Sequence, residues 1–446
     1  MTSPNDTDPF VIRAPELDAG TGVLRCAYDH PEFGALTETV AFPQLPGGEA
    51  SGTLAQLAAI VMGTSYYKAR PAGRVVYAFA LTPAARRLAE LTYGPGLGEF
   101  YVRNALTYPP ALEIEAEEAA PSPGDQPAVN DPPRAVCAFG GGKDSHVAAS
   151  ILAEAGAHVE RASLFLSDKV AARMQTMSET PLTFIKRTID PRLIEISRSG
   201  EALNGHIPIT AINSVLLTLH AEAQGLDWVV FANERAASEP TMEVNGHPVN
   251  HQFSKSLEFE DALRAAFGEA GARANYFSIL RPVSELWTAH YLATRSGALD
   301  IFASCNRNFV FAGPSVLEEG QRWCGQCAKC VYTAVLLAPF LSLGRHAAVF
   351  QSRPLHDRDN AGFLREIAGL TDAKPWECVG ERREVAAALA YLLKQADWRE
   401  APLVAGIETE LFETWDRADL EAAWEEALKA RSEHRMPESV EQVMGA

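Results

Sequence analysis

Residues 135–148, Ala-Val-Cys-Ala-Phe-Gly-Gly-Gly-Lys-Asp-Ser-His-Val-Ala, restrict the possible folds more than any other stretch of the chain. The apolar start has the length and composition of a buried parallel strand, and an alanine-rich helix opens near Ser145. The glycines between them let the backbone turn sharply and bring several N–H groups to one anion, at which the helix also aims its positive end. A polyphosphate suits such a loop. A Walker loop needs its hydroxyl residue directly after the lysine, but Asp144 separates Lys143 from Ser145. The dinucleotide fingerprint G-x-G-x-x-G is missing as well. A glycine-rich strand-to-helix turn with no ligand is the bland alternative.

The segment resembles the phosphate loop of the PP-loop ATP pyrophosphatases, Ser-Gly-Gly-x-Asp-Ser. Gly141, Gly142, Asp144 and Ser145 fall on that pattern, and Gly140 stands where the first serine would be. The resemblance implies ATP cleaved between its α and β phosphates, Mg2+, and adenylation of a substrate. With that serine hydroxyl gone, phosphate grip is expected to rest on backbone amides and Lys143. Asp144 is expected to place magnesium or the loop.

With 446 residues, of which 22% are charged, the chain can form two or three domains around a sizeable core. No apolar run reaches the 18 or more residues of a membrane span, and residues 1–6 lack the pattern of a signal peptide, so no membrane partner and a cytoplasmic location are expected. The net charge of −18 argues against nucleic acid, whose phosphates need clustered Lys and Arg. An acidic, proline-rich stretch over 113–133 reads as a linker. It divides an N-terminal α+β module, 1–112, from a phosphate-loop domain, 134–345, which a helical region, 346–446, follows.

The N-terminal module reads as strands over 23–28, 36–42 and 74–81 and helices over 53–62 and 83–91. Between them, Tyr67 and Lys68 sit in a hydroxyl-rich segment behind Gly63 that either binds sugar or phosphate or caps a helix over the core. Beyond the phosphate loop, strands are expected over 159–167, 193–197, 228–232 and 276–280, with helices over 145–155, 207–224, 256–270 and 284–295. Such alternation predicts an α/β fold with a doubly wound parallel sheet and ligands outside the carboxyl ends of its strands. Polar residues at those ends are Asp168 and the trio Asn233, Glu234 and Arg235, each with the alternative of a solvated strand end. His251 and Lys255 lie in a polar block, 250–256, that either caps a helix or receives an anion at its N-terminus. In the C-terminal region, Trp376, Trp398, Trp415 and Trp424 read as core, and Cys26, Cys137 and Cys378 as isolated packing residues.

Cys305, Cys324, Cys327 and Cys330 have the spacing C-x18-C-x2-C-x2-C. Four thiolates so placed can close a tetrahedral shell around a structural Zn2+. An iron–sulfur cluster and a free catalytic thiol are the rivals.

A phosphate loop followed by Ser-Cys and Cys-Gly-x-Cys-x-x-Cys is similar to the 7-cyano-7-deazaguanine synthases, which are about half as long. The whole chain resembles the UDP-N-acetylmuramoyl-L-alanyl-L-glutamate epimerase family. The segments that carry this are 63–68, 139–146, 233–235, 250–256, 323–330 and 377–381. The resemblance implies a UDP-muramoyl dipeptide substrate whose terminal glutamate is adenylated, inverted at Cα and released with AMP and pyrophosphate, in peptidoglycan precursor synthesis. Catalytic candidates are Lys143, Asp144, Glu234, His251 and Lys255; ATP contacts are expected from Gly140 through Ser145 and Asp168, and substrate contacts from Asn233, Arg235, Tyr67 and Lys68. A deazaguanine-type ligase, a tRNA-modifying enzyme and a nucleotide-binding regulator are the other classes open to such a chain.

Overall fold

The computed structural model describes residues 8–45, 49–122, 124, 128–309, 317–318, 320–371, 379–430 and 433–445. Trp376 and Cys378 lie outside them. Along the described chain the strands are β1 Phe10–Ile12, β2 Glu16–Asp18, β3 Val23–His30, β4 Gly34–Ala41, β5 Arg74–Tyr77, β6 Glu113–Glu115, β7 Arg134–Ala138, β8 His158–Phe165, β9 Thr183–Thr188, β10 Trp228–Phe231, β11 Met242–Val244, β12 His247–Val249 and β13 Asn275–Ser278. All but the β11–β12 hairpin belong to one sheet, ordered β13-β10-β7-β8-β9-β4-β3-β1-β5-β6, with β2 on β3.

The five strands β13, β10, β7, β8 and β9 are mutually parallel. Their order places β7 centrally, with the chain winding one way to β8 and β9 and the other way to β10 and β13. That reversal is a topological switch point, and in open α/β sheets it opens a crevice beyond the carboxyl ends of the strands. Side chains alternate across the sheet as its pleat requires. Ala135 and Cys137 of β7 enter one core, with Val147 and Ile151 of the helix Lys143–Glu154 and Leu286 of the helix Glu285–Thr294. Val136 enters the other, with Ile212 and Val215 of Ile209–Gln224 and Leu263 of Leu257–Glu269. Helices therefore cover both faces. Each fully buried Val or Ile in these layers is worth about 1.5–3 kcal/mol.

The helix that carries Cys330, Ala328–Leu337, and the later helices pack against the phosphate-loop face through Val331, Val335, Val385 and Leu389. Among the described residues no helix is long and apolar enough to cross a membrane.

Two local expectations are corrected. The strand expected over 193–197 is the helix Pro191–Ser199, and the sheet position is taken by β9. Asp190 caps that helix by accepting from the Arg192 N–H, and Pro191 at its first turn needs no donor, so the local start signal overrode the apolar alternation. The sheet also does not stop at the expected linker. β4 pairs antiparallel with β9 through Thr39 and Thr188, and Glu113–Glu115 forms β6 inside the acidic stretch.

Candidate active site at the switch point

Pairing on both sides of β7 leaves the chain a single way out, and the glycines after Phe139 take it. Gly141 has φ +72, and a Cβ there would lie 2.7 Å from Met177 Sδ, so only glycine fits. At Gly140 nothing approaches within 4 Å of a Cβ position, which leaves open space and room for the serine of the PP-loop pattern. Residues from a distant loop brace the turn: the Lys143 N–H donates to Ser304 Oγ at 3.1 Å, and the Ala303 N–H to the Gly141 carbonyl at 2.9 Å. Ser145 Oγ donates to the Gly142 carbonyl at 3.0 Å.

The Lys143 side chain corrects the expectation that it faces a phosphate. It is 0% exposed and turns inward to ion pairs with Asp144 and Glu285. Burial alone would lower its pKa, but Asp144, Glu285 and Glu234 together raise it above the usual lysine range. Lys143 is thus the counter-ion beneath the cleft rather than part of its wall.

Glu234 leaves the end of β10 and is 4% exposed. Arg281 holds its backbone, donating to the Glu234 carbonyl at 2.9 Å, the Lys255 carbonyl at 2.6 Å and Glu260 Oε2 at 2.9 Å. Asn233 Nδ2 donates to Ser278 Oγ at 2.9 Å. The ends of β10 and β13 and the turn Phe253–Lys255 are therefore one braced unit, with Asn233 serving it as a strut. Burial pushes the Glu234 carboxyl up to about 8, with the Glu285 and Asp144 charges adding and Lys255 and Lys143 opposing. Glu285, also buried, is held down to about 2 because the Lys143 and Lys329 charges outweigh desolvation. Two adjoining carboxyls with divergent affinities share a proton, and Glu234 keeps it. Glu285 Oε1 has no hydrogen-bond donor among the described residues, and a proton on the neighbouring Glu234 carboxyl is what such an oxygen calls for.

Arg235, expected on the substrate, instead reaches across to the C-terminal region. Its Nε donates to Glu381 Oε1 at 3.0 Å and its Nη2 to Glu384 Oε1 at 3.1 Å, while Glu384 Oε2 accepts the Glu285 N–H at 3.2 Å. Gly380 lets the backbone pass close, since a Cβ there would lie 2.8 Å from Glu285 Cγ. The 380–384 segment is thereby part of the site's floor.

Above this floor is a cleft of about 430 Å³. Gly140, Gly142, Asp144 and Ser145 line one side, Asn233, Glu234 and Lys255 another, and Ser304, Asn306 and Lys329 a third. A larger cavity, about 590 Å³ around Trp228, Asn275 and Pro437, lies where β10 and β13 begin. The smaller one carries the chemistry, because strand carboxyl ends converge there with the titratable groups. Sequence reasoning missed Glu285, Ser304, Lys329 and Glu384; only Lys329 and Ser304, flanked by cysteines, sat in a motif already singled out.

The four cysteine sulfurs all lie within 4.8 Å of one another. Cys324 and Cys330 Sγ are 3.7 Å apart and Cys327 and Cys330 Sγ 3.4 Å apart. Four sulfurs bonded to one zinc at about 2.3 Å stand about 3.8 Å apart, so the set fits a single ion. The Cys324 N–H donates to Cys305 Sγ at 3.4 Å and the Gln326 N–H to Cys324 Sγ at 3.5 Å, bonds that favour thiolates. Ser304 and Lys329 are chain neighbours of these ligands, so the cluster fixes the third wall of the cleft. Cys324→Ser is expected to lower zinc content by about one ion per chain, measured by elemental analysis, and to lower the melting temperature. Unchanged zinc would remove the metal reading.

The remaining candidates lie elsewhere. Asp168 is 82% exposed, pairs with Lys186 at 3.0 Å and does not line the cleft. Tyr67 belongs to the N-terminal core, donating to the Ala72 carbonyl at 2.9 Å. Lys68 Nζ donates to Asn204 Oδ1 at 2.8 Å and the Gly205 carbonyl at 3.0 Å. His251 also stands outside the cleft wall and meets Glu99, its Nδ1 2.5 Å from Oε2.

Residues 1–279 match the family model described as the MurL N-terminal domain, and residues 301–422 that of the MurL C-terminal domain. The chain is 36% identical over 433 residues to the UDP-N-acetyl-alpha-D-muramoyl-L-alanyl-L-glutamate epimerase of Salinispora tropica, covering 94% of this chain and 92% of the relative. It is also 36% identical over 425 residues to the enzyme of that name from a Micromonospora species, covering 92% and 93%. A third epimerase of that name, from Xanthomonas oryzae pv. oryzae, is 36% identical over 433 residues, covering 94% and 93%.

Proposed function

The chain belongs to the MurL family of epimerases, and on that premise we propose that it inverts the terminal L-glutamate of a UDP-N-acetylmuramoyl-L-Ala-L-Glu precursor at the expense of ATP. The observation that carries this reading is one cleft that joins an open glycine loop at a helix N-terminus to a buried, proton-holding carboxyl, Glu234, and two lysines, Lys255 and Lys329.

The chemistry requires both halves. The Cα proton of a terminal glutamate resists removal while the adjacent carboxylate is ionised, because the carbanion would form beside a negative charge. Attack of that carboxylate on the α-phosphorus of ATP forms a C–O–P bond, breaks the α–β bridge and expels pyrophosphate. The resulting acyl-adenylate is neutral at the carbonyl and delocalises the carbanion as an enolate. A base removes the proton on one face and an acid returns one on the other. Water then releases AMP and the D-glutamyl product.

In this reading, the amides of Gly140 to Ser145 and the helix Lys143–Glu154 grip phosphate, in a PP-loop type of fold. Asp144 is the hard oxygen donor on that wall and would hold Mg2+. Glu234 returns the proton, and the Lys255 and Lys329 ammoniums favour negative charge on the enolate oxygen. The zinc of the four cysteines is structural. The products place the enzyme in peptidoglycan precursor synthesis.

Pyrophosphate release that depends on the muramoyl dipeptide, with solvent deuterium appearing at the glutamate Cα, is the expected result. Release of ADP in place of AMP, or turnover that needs ammonia or tRNA, would overturn it.

A further inference from the structure

Outside the cleft, one tight cluster among the described residues is used neither by the proposed reaction nor by the cysteines. Glu99, on the helix Gly98–Arg103, is 3% exposed and meets two imidazoles carried by separate segments. His251 Nδ1 lies 2.5 Å and His206 Nδ1 3.5 Å from the same Glu99 oxygen, Oε2. One donor atom from each of the three lies within 4.8 Å of the others. Arg103 donates to the second oxygen, Oε1, at 3.1 Å, which leaves Oε2 to the imidazoles. The two rings do not stack flat, being tilted by 49° with centroids 4.8 Å apart, and both turn Nδ1 to the carboxylate.

A buried carboxylate that merely needed partners would be served by Arg103 and one imidazole. The second imidazole, brought in by the 200–208 loop, exceeds that need. Ligand atoms bound to one first-row ion at about 2.0–2.2 Å stand about 3–4 Å apart; His206 Nδ1 and Glu99 Oε2 already stand 3.5 Å apart, and His251 Nδ1 would give up its 2.5 Å hydrogen bond to Oε2 to admit the ion. Two imidazoles and one carboxylate are a borderline donor set that selects zinc and its neighbours over Mg2+ or Ca2+.

We propose that Glu99, His206 and His251 form a second, mononuclear site for a divalent transition metal, zinc foremost, with an open coordination position on the His206 side. His206 is the more exposed of the two imidazoles, 23% against 13%, which leaves that side for water or an anion. The ion would tie together three segments, two of which run on into the cleft wall, since Thr210 follows His206 by four residues and Lys255 follows His251 by four. The positive charges of Arg103, Lys68 and Lys255 nearby oppose a dication. The four-sulfur site therefore fills first and this one exchanges more readily.

Cobalt separates the two sites spectroscopically. Metal-stripped protein titrated with Co2+ is expected to bind two ions per chain: the first with intense sulfur-to-cobalt charge-transfer bands, the second with weak d–d bands alone. The double variant Glu99→Gln, His206→Gln is expected to keep the first and lose the second. A single cobalt on the unaltered chain, or two on the variant, would overturn the assignment. Anomalous diffraction from cobalt-soaked crystals of the unaltered chain gives a reading that needs no variant. A peak between the three side chains supports the site, and a blank map there rejects it.

Discussion

Glu234→Gln is expected to lower epimerisation roughly 10²–10⁴-fold, the usual worth of a positioned acid or base, while dipeptide-dependent pyrophosphate release continues. Glutamine preserves the shape of a residue that is 4% exposed and leaves its backbone bond from Arg281 intact. It removes only the titrating proton. Burial, with the Glu285 and Asp144 charges, pushes the Glu234 carboxyl up to about 8. Its acid form therefore persists through neutral pH and is lost as pH rises through about 8, so kcat should fall on that alkaline limb. Burial also raises Glu384 to about 8, with Glu381 and Glu285 adding. Comparison with the variant isolates the part due to Glu234. In heavy water the variant should still exchange the α-hydrogen of the L-substrate through the opposite face without forming the D-product. A variant that turns over normally, or one that loses pyrophosphate release in step with inversion, would show that Glu234 supports the fold of the site and not the proton.

The second large effect is on stability. Lys143→Met is expected to cost about 3–5 kcal/mol, the usual result of stranding a buried charge, measured by denaturant unfolding. Methionine replaces the buried aliphatic stem and removes the ammonium that pairs Asp144 with Glu285. The pH dependence gives the loss a signature. Although burial alone would raise Glu285, Lys143 and Lys329 hold it down to about 2. Its carboxylate thus contributes stability above the unfolded value near 4.3, and that contribution is lost as pH falls through about 2. Without Lys143, Glu285 ionises only at a cost, so the gap to the unaltered protein should widen as pH rises from about 4 and narrow in acid. Adding Glu285→Gln to Lys143→Met should recover part of the loss, because contacting charges are not additive. A cost below about 1 kcal/mol, or no recovery, would mean that solvent reaches this pair.

Short-range patterns were legible and long-range partners were not. The phosphate loop needs only contiguous glycines at a strand-to-helix turn, and two of the three intervals between the cysteines are single turns, so both features are written locally. Arg235 was read toward substrate because its strand end faces the crevice. Its actual partners, Glu381 and Glu384, lie some 150 residues onward, at the N-cap and in the first turn of a helix that no local pattern links to it. Glu285 was hidden as the first residue of an ordinary Ser-capped helix. Asp168 carried a strand-end position but stands in solvent beside Lys186. Tyr67 carried a hydroxyl that a backbone carbonyl in its own core already satisfies.

By itself the sequence determined a glycine turn between strand and helix, a set of thiolates spaced for one ion, and an alternation of strands and helices that points to a parallel sheet covered on both faces. Backbone geometry and apolar periodicity act over a few residues, and those are what contiguous letters record. Tertiary structure alone decided which charges face one another. Lys143 turned inward, Glu234 came to hold a proton against Glu285, and Glu99 drew two histidines together. Burial in a shared low-dielectric space sets proton affinities, and that space is assembled from segments the chain order keeps far apart.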